Sequence, residues 1–313
     1  MVSRGSRELQ ALLETLLAGD RPNASSITVL SGMDAEECGL VRDVWGRIPV
    51  PSRRQLLAGA AELADDNTGL DFSALARIAL GDEDAETRAL AVAALWESED
   101  RVVASDLTRL LRDDPSDDVR AAAASGLKGF VLAREFEHFD RRQGDEIVDA
   151  LRSVASSSTQ PGHVRAMAIE ALGPRSLPWV RDLIEDAYYS DDRELRLAAV
   201  DAMGLSADEE WSEFVIEQLA SDDPEFRFHA ARACYGIASE GLVDPLSHLL
   251  DDDDIEVAQA AVSGLGEIGG EDALEHLREF QRRAPASLQG ALDEAIESAR
   301  SLASLLAAGS GEA

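Results

Sequence analysis

Arginine returns at a fixed interval in this chain. Arg165, Arg196 and Arg227 stand 31 residues apart, Ala258 takes the next place in the series, and Arg88 and Arg120 form an earlier pair 32 apart. A guanidinium presents a rigid fork of donors that matches a carboxylate, so such a column has two chemical readings. It is either a ladder offered to an acidic ligand or an internal set of ties to the aspartates that crowd the turns, among them Asp192, Asp223 and Asp254. The internal reading is favoured, because each arginine occupies the same point of a repeated phrase and loss of a rung would act as a loss of packing. Ala258, which lacks the side chain, then marks the end of the ladder.

Other residues that could carry chemistry fall short of the pattern they would need. Gly264, Gly266 and Gly269 in GLGEIG match a dinucleotide-binding glycine string, but that string works only between a strand and a helix. Asp251 to Asp254 invite a calcium reading, yet no glycine or glutamate falls in the register of a calcium loop, and a solvated helix cap is expected. His138, His163, His229, His248 and His276 are scattered, and neither a nucleophile elbow nor a Cys–His pair at helical spacing occurs. Cys38 and Cys234 do not make a disulfide framework, and Cys234 replaces an apolar residue of the other copies. The expectation is no catalytic residue, no metal site and no cofactor.

The phrase that carries the arginines reads VRAAAASGLK at 119–128, VRAMAIEALG at 164–173, LRLAAVDAMG at 195–204, FRFHAARACYG at 226–236 and VAQAAVSGLG at 257–266. Apolar residues sit one before and three, four and seven after the aligned position, which is one face of an α-helix. Alanine at the third place and, at Ala94, Ala171, Ala202 and Ala233, the sixth lets neighbouring helices approach. The closing glycines Gly173, Gly204, Gly236 and Gly266 are expected to end each helix in a left-handed conformation. Acidic clusters ahead of each copy can cap its first turn. A second amphipathic set, such as 178–190, 210–221 and 242–250, lies between the copies. The unit is therefore helix, acidic turn, helix, loop, and stacking such units buries what one hairpin cannot.

These residues predict an all-α fold, an α-solenoid of about eight helical hairpins. A degenerate repeat and cap is expected over 1–71, with Pro49 and Pro51 at its turn, the repeat array over 72–269, and capping helices and tail over 270–313, all in one continuous solenoid. The step from Arg120 to Arg165 is 45, and the excess is placed near 133–146. Phe136, His138 and Phe139 beside Arg141 and Arg142 in that insertion are the best local candidates for a partner contact. Trp45, Trp96, Trp179, Trp211, Tyr188, Tyr189 and Tyr235 are expected mainly to wedge between repeats.

The phrase acidic–x–x–Val/Leu–Arg–x–x–Ala–x–x–Ala–Leu–Gly at this spacing resembles the short HEAT-like repeat first associated with phycobilisome lyases, most specifically over 82–128 and 161–269. The resemblance implies an α-solenoid whose second helices line the concave side. It also implies two functions: a non-catalytic scaffold or adaptor for a protein or peptide, or a phycobilin-lyase-like enzyme subunit or chaperone that handles a tetrapyrrole or other protein-modifying group. The HEAT-like hydroxylase of deoxyhypusine binds iron through repeated His–Glu pairs; no such dipeptide occurs here. The scaffold is the leading expectation, since a groove suits proteins better than small-molecule chemistry.

Composition sets the surroundings. The net charge is −32, from 61 acidic and 29 basic residues, and Lys128 is the only lysine. With 45% hydrophobic residues in a strong pattern, the chain is expected to form a core rather than remain disordered. Such a surface resembles those of salt-loving archaeal proteins, where salt screens the repulsion and acidity maintains solubility. Nucleic acid is an unfavourable partner, because phosphate binding needs clustered bases and the arginine pairs here lack aromatic reinforcement. The first twenty residues do not read as a secretory signal and no stretch has the length of a membrane span, so a cytoplasmic, capped solenoid that stays monomeric is expected. A salt titration checks the environment: helicity by circular dichroism should be incomplete in dilute buffer and rise toward molar salt, and full folding in dilute buffer would contradict it.

Overall fold

The computed structural model describes residues 4–67, 69–96 and 98–309. The ends of the expected caps, 1–3 and 310–313, lie outside the described residues. Helices are connected by short turns, with no strand among the described residues, and the architecture is an all-α solenoid of helical hairpins. The chain divides into two compact units, Met1–Ala168 and Ile169–Ala313.

In the first unit the helices are α1 (Arg4–Leu17), α2 (Ala24–Ile27), α3 (Ala35–Trp45), α4 (Val50–Asp66), α5 (Ser73–Ala79), α6 (Ala85–Ala93), α7 (Arg101–Asp113), α8 (Asp117–Gly126), α9 (Lys128–Glu135) and α10 (Arg141–Ala155). The helix α11 (Gly162–Leu172) spans the boundary. The second unit continues with α12 (Pro178–Tyr188), α13 (Arg193–Ser206), α14 (Ser212–Leu219), α15 (Pro224–Ile237), α16 (Val243–Ser247), α17 (Ile255–Ile268), α18 (Gly270–Gln281) and α19 (Gln289–Gly309).

The acidic turns start the second helix of each hairpin. Asp84, Asp192, Asp223 and Asp254 each accept a backbone N–H from the first turn of α6, α13, α15 and α17, satisfying donors that have no partner inside the helix. The repeated apolar positions then form the core. Val164, Leu195, Phe226 and Val257 are buried, as are Ala168, Ala199, Ala230 and Ala261, and Leu172, Met203, Cys234 and Leu265. Pro49 precedes α4 and Pro51 lies in its first turn, where a missing N–H costs nothing.

Gly173 directly follows the last residue of α11, without a left-handed φ, but the other three glycines have a different role from the helix-ending one expected. Gly204, Gly236 and Gly266 lie inside α13, α15 and α17, which run on to Ala207, Ala238 and Gly269. Those later residues take the positive φ, 52° at Ala207, 51° at Ala238 and 68° at Gly269. What the interior glycines supply is closeness. A Cβ on Gly204 would stand 2.6 Å from the Ala233 Cα, one on Gly266 2.8 Å from the Ala295 Cα, and one on Gly236 would overlap the Gly204 carbonyl oxygen. Successive second helices α13, α15, α17 and α19 therefore pack backbone against backbone.

The added residues overlap the expected 133–146 and begin a few residues before it. They form α9 and the turn after it, residues 128–140, while Arg141–Ala155 is the first helix of the next hairpin. The apolar spacing of Ile147, Val148, Leu151 and Val154, all buried, makes α10 a regular member of the array.

Two opposite substitutions test the seam. Gly236→Ala should destabilise by about 1–3 kcal/mol through overpacking. Ala207→Gly should be neutral or stabilising by up to about 1 kcal/mol, because relief of the left-handed penalty is partly offset by a freer unfolded chain. Denaturant midpoints of the two variants should move in opposite directions or differ by the cost of the first.

Candidate functional site

The arginine column resolves into two kinds of rung. Arg88 in α6 donates Nε and Nη2 to Asp114 at 2.8 and 2.7 Å, and Nη1 to the carbonyls of Asp82 and Glu83 in its own turn. Arg227 in α15 repeats this geometry with Asp252 at 2.7 and 2.9 Å and the carbonyls of Ser221 and Asp222. Each carboxylate also accepts the N–H of the residue two further on: Asp114 from Ser116, Asp252 from Asp254. One aspartate thus shapes its own turn and ties the preceding repeat to it.

Where that place holds serine, no such fork forms. Ser190 and Ser221 accept the N–H of Asp192 and Asp223. In the repeats before them, Arg165 donates to the Ala155 carbonyl and Arg196 lies over the Phe226 ring at 5.3 Å. Arg120 meets Asp117 and Gln160. Asp192 and Asp254 serve as helix caps, and Asp223 both caps α15 and pairs with Arg193 at 2.7 Å. Arg53, which sequence reasoning did not place in the column, belongs to it. It pairs at 2.5 Å with Asp82, which also receives the Trp45 indole N–H at 2.6 Å. Its helix is too degenerate to align, and the available signal was an arginine followed by the Asp-x-Asp of the next acidic turn.

The insertion does not present its candidates together. Phe139 packs edge-on against Phe130, with centroids 5.3 Å apart, whereas Phe136 is 64% exposed and lies tilted near His138. Arg141 is solvated, 3.9 Å from Asp145. Arg142 faces a groove between α7 and α10 that sequence spacing did not reveal. Along α7, Arg101, Ser105, Arg109 and Arg112 fall on one face; α10 contributes Arg142, Gln143 and Glu146. Gln143 bridges the two helices, donating to the Arg101 carbonyl at 2.6 Å and the Ser105 hydroxyl at 2.9 Å. Two adjoining recesses of about 310 and 420 Å³ meet at Ser105, Gln143 and Glu146. Eleven residues of α7 separate Arg101 from Arg112, so the groove runs for about 17 Å.

The remaining candidates have structural surroundings. Gly264 and Gly266 lie inside α17, not after a strand. Asp251 pairs with Arg283 at 2.7 Å, and the next three residues make the turn and cap of α17. His229 Nδ1 lies 2.7 Å from Asp201, and among the described residues no group of three or more His, Cys, Asp or Glu is placed to hold a metal ion. Burial pushes the Cys234 thiol up to about 12, which suppresses the reactive thiolate. Of the aromatic residues expected to wedge, Trp45, Trp211 and Tyr188 are buried, but Trp96, Tyr189 and Tyr235 are 64, 68 and 51% exposed. Position along a helix did not reveal which side of it lacks a neighbour. No helix among the described residues is long and apolar enough to cross a membrane.

Comparison with known proteins agrees with this repeat anatomy. Residues 212–297 match the family model for HEAT repeats, so this stretch is built of HEAT-like repeats. No curated protein sequence matches the chain. Among solved structures, the Escherichia coli protein YibA aligns over 96% of this chain and 98% of its own, with 14% identity and a TM-score of 0.48. Human deoxyhypusine hydroxylase in complex with glycerol aligns over 85% of this chain and 96% of its own, at 17% identity and TM-score 0.38. Importin beta aligns over 93% of this chain and 51% of its own, at 13% identity and TM-score 0.37.

Two measurements test the ties. Asp114→Ala strands the buried Arg88 guanidinium and should cost about 3–5 kcal/mol, while Arg101→Ala at an exposed pair should cost under about 1 kcal/mol; chemical denaturation separates them. Hydrogen bonds from Arg227, Arg54, Arg193 and Arg283 hold Asp252, Asp84, Asp223 and Asp251 below the ordinary carboxylate range. Groups depressed in the folded state contribute stability that is complete above about pH 5 and is lost as pH falls through their folded values. Acid unfolding should therefore be shallower in Arg227→Gln, with one such contribution removed.

Proposed function

We propose that this protein is a non-catalytic HEAT-like scaffold or adaptor that binds a segment of another protein, as a cytoplasmic monomer with an acidic, salt-adapted surface. The observation that carries the reading is the α7–α10 groove, long, open to solvent and lined by polar side chains from two rigid helices. Small-molecule sites are concave and mostly apolar, enclosing most of their ligand. An open trench of about 17 Å matches roughly five residues of extended chain, at about 3.3 Å each. Arg101, Arg109, Arg112 and Arg142 line the trench, and arginine is among the usual anchors of protein interfaces.

The HEAT-repeat match over 212–297 supports a scaffold by the nature of such repeats, in which stacked hairpins offer extended surfaces. The experiment places a photo-crosslinking side chain at Val102, on the groove wall, and in a second protein at Glu240, which does not line the groove. Discrete polypeptide adducts at Val102 and none at Glu240 are expected. Equal labelling at both positions, or small-molecule adducts alone, would overturn the scaffold.

A further inference from the structure

We propose that the α7–α10 groove takes an extended peptide segment bearing carboxylates, with Arg142 and Arg101 at one end and Arg109 and Arg112 at the other. This rests on the reading of the groove as a protein-binding site and specifies its partner. Local charge is the first reason. The chain carries 61 acidic against 29 basic residues, yet four arginines line the groove beside three acids, Asp113, Asp140 and Glu146. Asp140 is already committed, since it caps α10 through the Gln143 N–H at 2.9 Å and lies 3.3 Å from Arg101.

The second reason is donor capacity. Buried column arginines such as Arg88 spend their forks on bidentate pairs at 2.7–2.8 Å. Groove arginines hold weaker contacts: Arg109 with Asp106 at 3.3 Å, and Arg112 with the Glu146 carbonyl at 3.4 Å. Arg142 has no carboxylate within ion-pair distance among the described residues. These forks retain donors aimed at a solvent-filled trench, which suits a planar carboxylate. Glu146 and Asp113 lie beside them as acceptors for main-chain N–H groups, which a peptide supplies and a simple carboxylate anion does not.

Spacing is the third reason. Arg101 and Arg109 are eight residues apart on α7, about 12 Å along its axis. An extended chain covers that distance in about four residues, and its side chains at i and i+4 point the same way. The recognised segment therefore carries Asp or Glu four residues apart.

The probe is a fluorescent heptapeptide with glutamate at its second and sixth positions in an alanine–serine background. Glutamine and lysine versions serve as controls, and binding is read by polarisation with the full chain at a salt concentration where its helicity is complete. The glutamate peptide should bind about tenfold tighter than the glutamine one, and Arg142→Gln or Arg109→Gln should each weaken it about two- to fivefold, as solvated ion pairs do. Arg42→Gln, on the exposed face of α3, should change nothing. Circular dichroism of each variant ensures that a loss of binding is not a loss of fold. Equal binding of all three peptides, or binding indifferent to Arg142 and Arg109, would overturn the proposal. If none binds while Val102 still forms polypeptide adducts, the acidic partner falls and the scaffold stands; if both fail, both fall.

Discussion

Neighbouring second helices of this protein lie so close that a single β-carbon at Gly236 has no room beside the Gly204 carbonyl. That closeness constrains much else. It demands glycine at Gly173, Gly204 and Gly266, where a Cβ would meet backbone of the next helix, and a side chain as small as alanine at Ala233. It also brings the start of each second helix within reach of the next acidic turn, where a guanidinium can bridge them.

Those bridges give the acidic turns a structural use beyond solubility. Asp82, Asp114 and Asp252 each accept a backbone N–H of their own turn and an arginine of the preceding repeat. Turn conformation and repeat stacking are thereby coupled through one side chain. Where serine replaces the aspartate, at Ser190 and Ser221, the turn bond persists and the fork does not, and Phe226 offers its ring to Arg196 instead. Arg88 and Arg227 accordingly spend Nε and both terminal nitrogens on the stack, whereas those along α7 and at the start of α10 keep donors facing solvent. The contrast separates arginines that hold the stack from arginines that line its surface.

The all-α hairpin architecture, the buried face of each second helix and the capping aspartates were legible in the chain. Periodicity along one helix states which of its own residues share a face, and Val164, Leu195, Phe226 and Val257 fall on that face as the spacing required. The glycines were legible as a pattern but not in purpose: a glycine near a helix end has the same signature whether it closes the helix or admits a neighbour. The insertion was visible from the long step between Arg120 and Arg165, but α9 occupies 128–135 because its helix begins directly after α8 rather than where the pattern fades.

The groove is the feature that lay beyond reach. Arg101, Arg109, Arg112 and Arg142 come from two helices separated by α8 and α9, and no interval within either relates them. Amino-acid order settled what each helix buries, because burial follows from spacing within a single rod. Which charged groups face one another across α7 and α10, which arginine finds a carboxylate, and which aromatic ring is left without a neighbour were settled by packing, because those outcomes depend on distances between rods that local spacing does not encode.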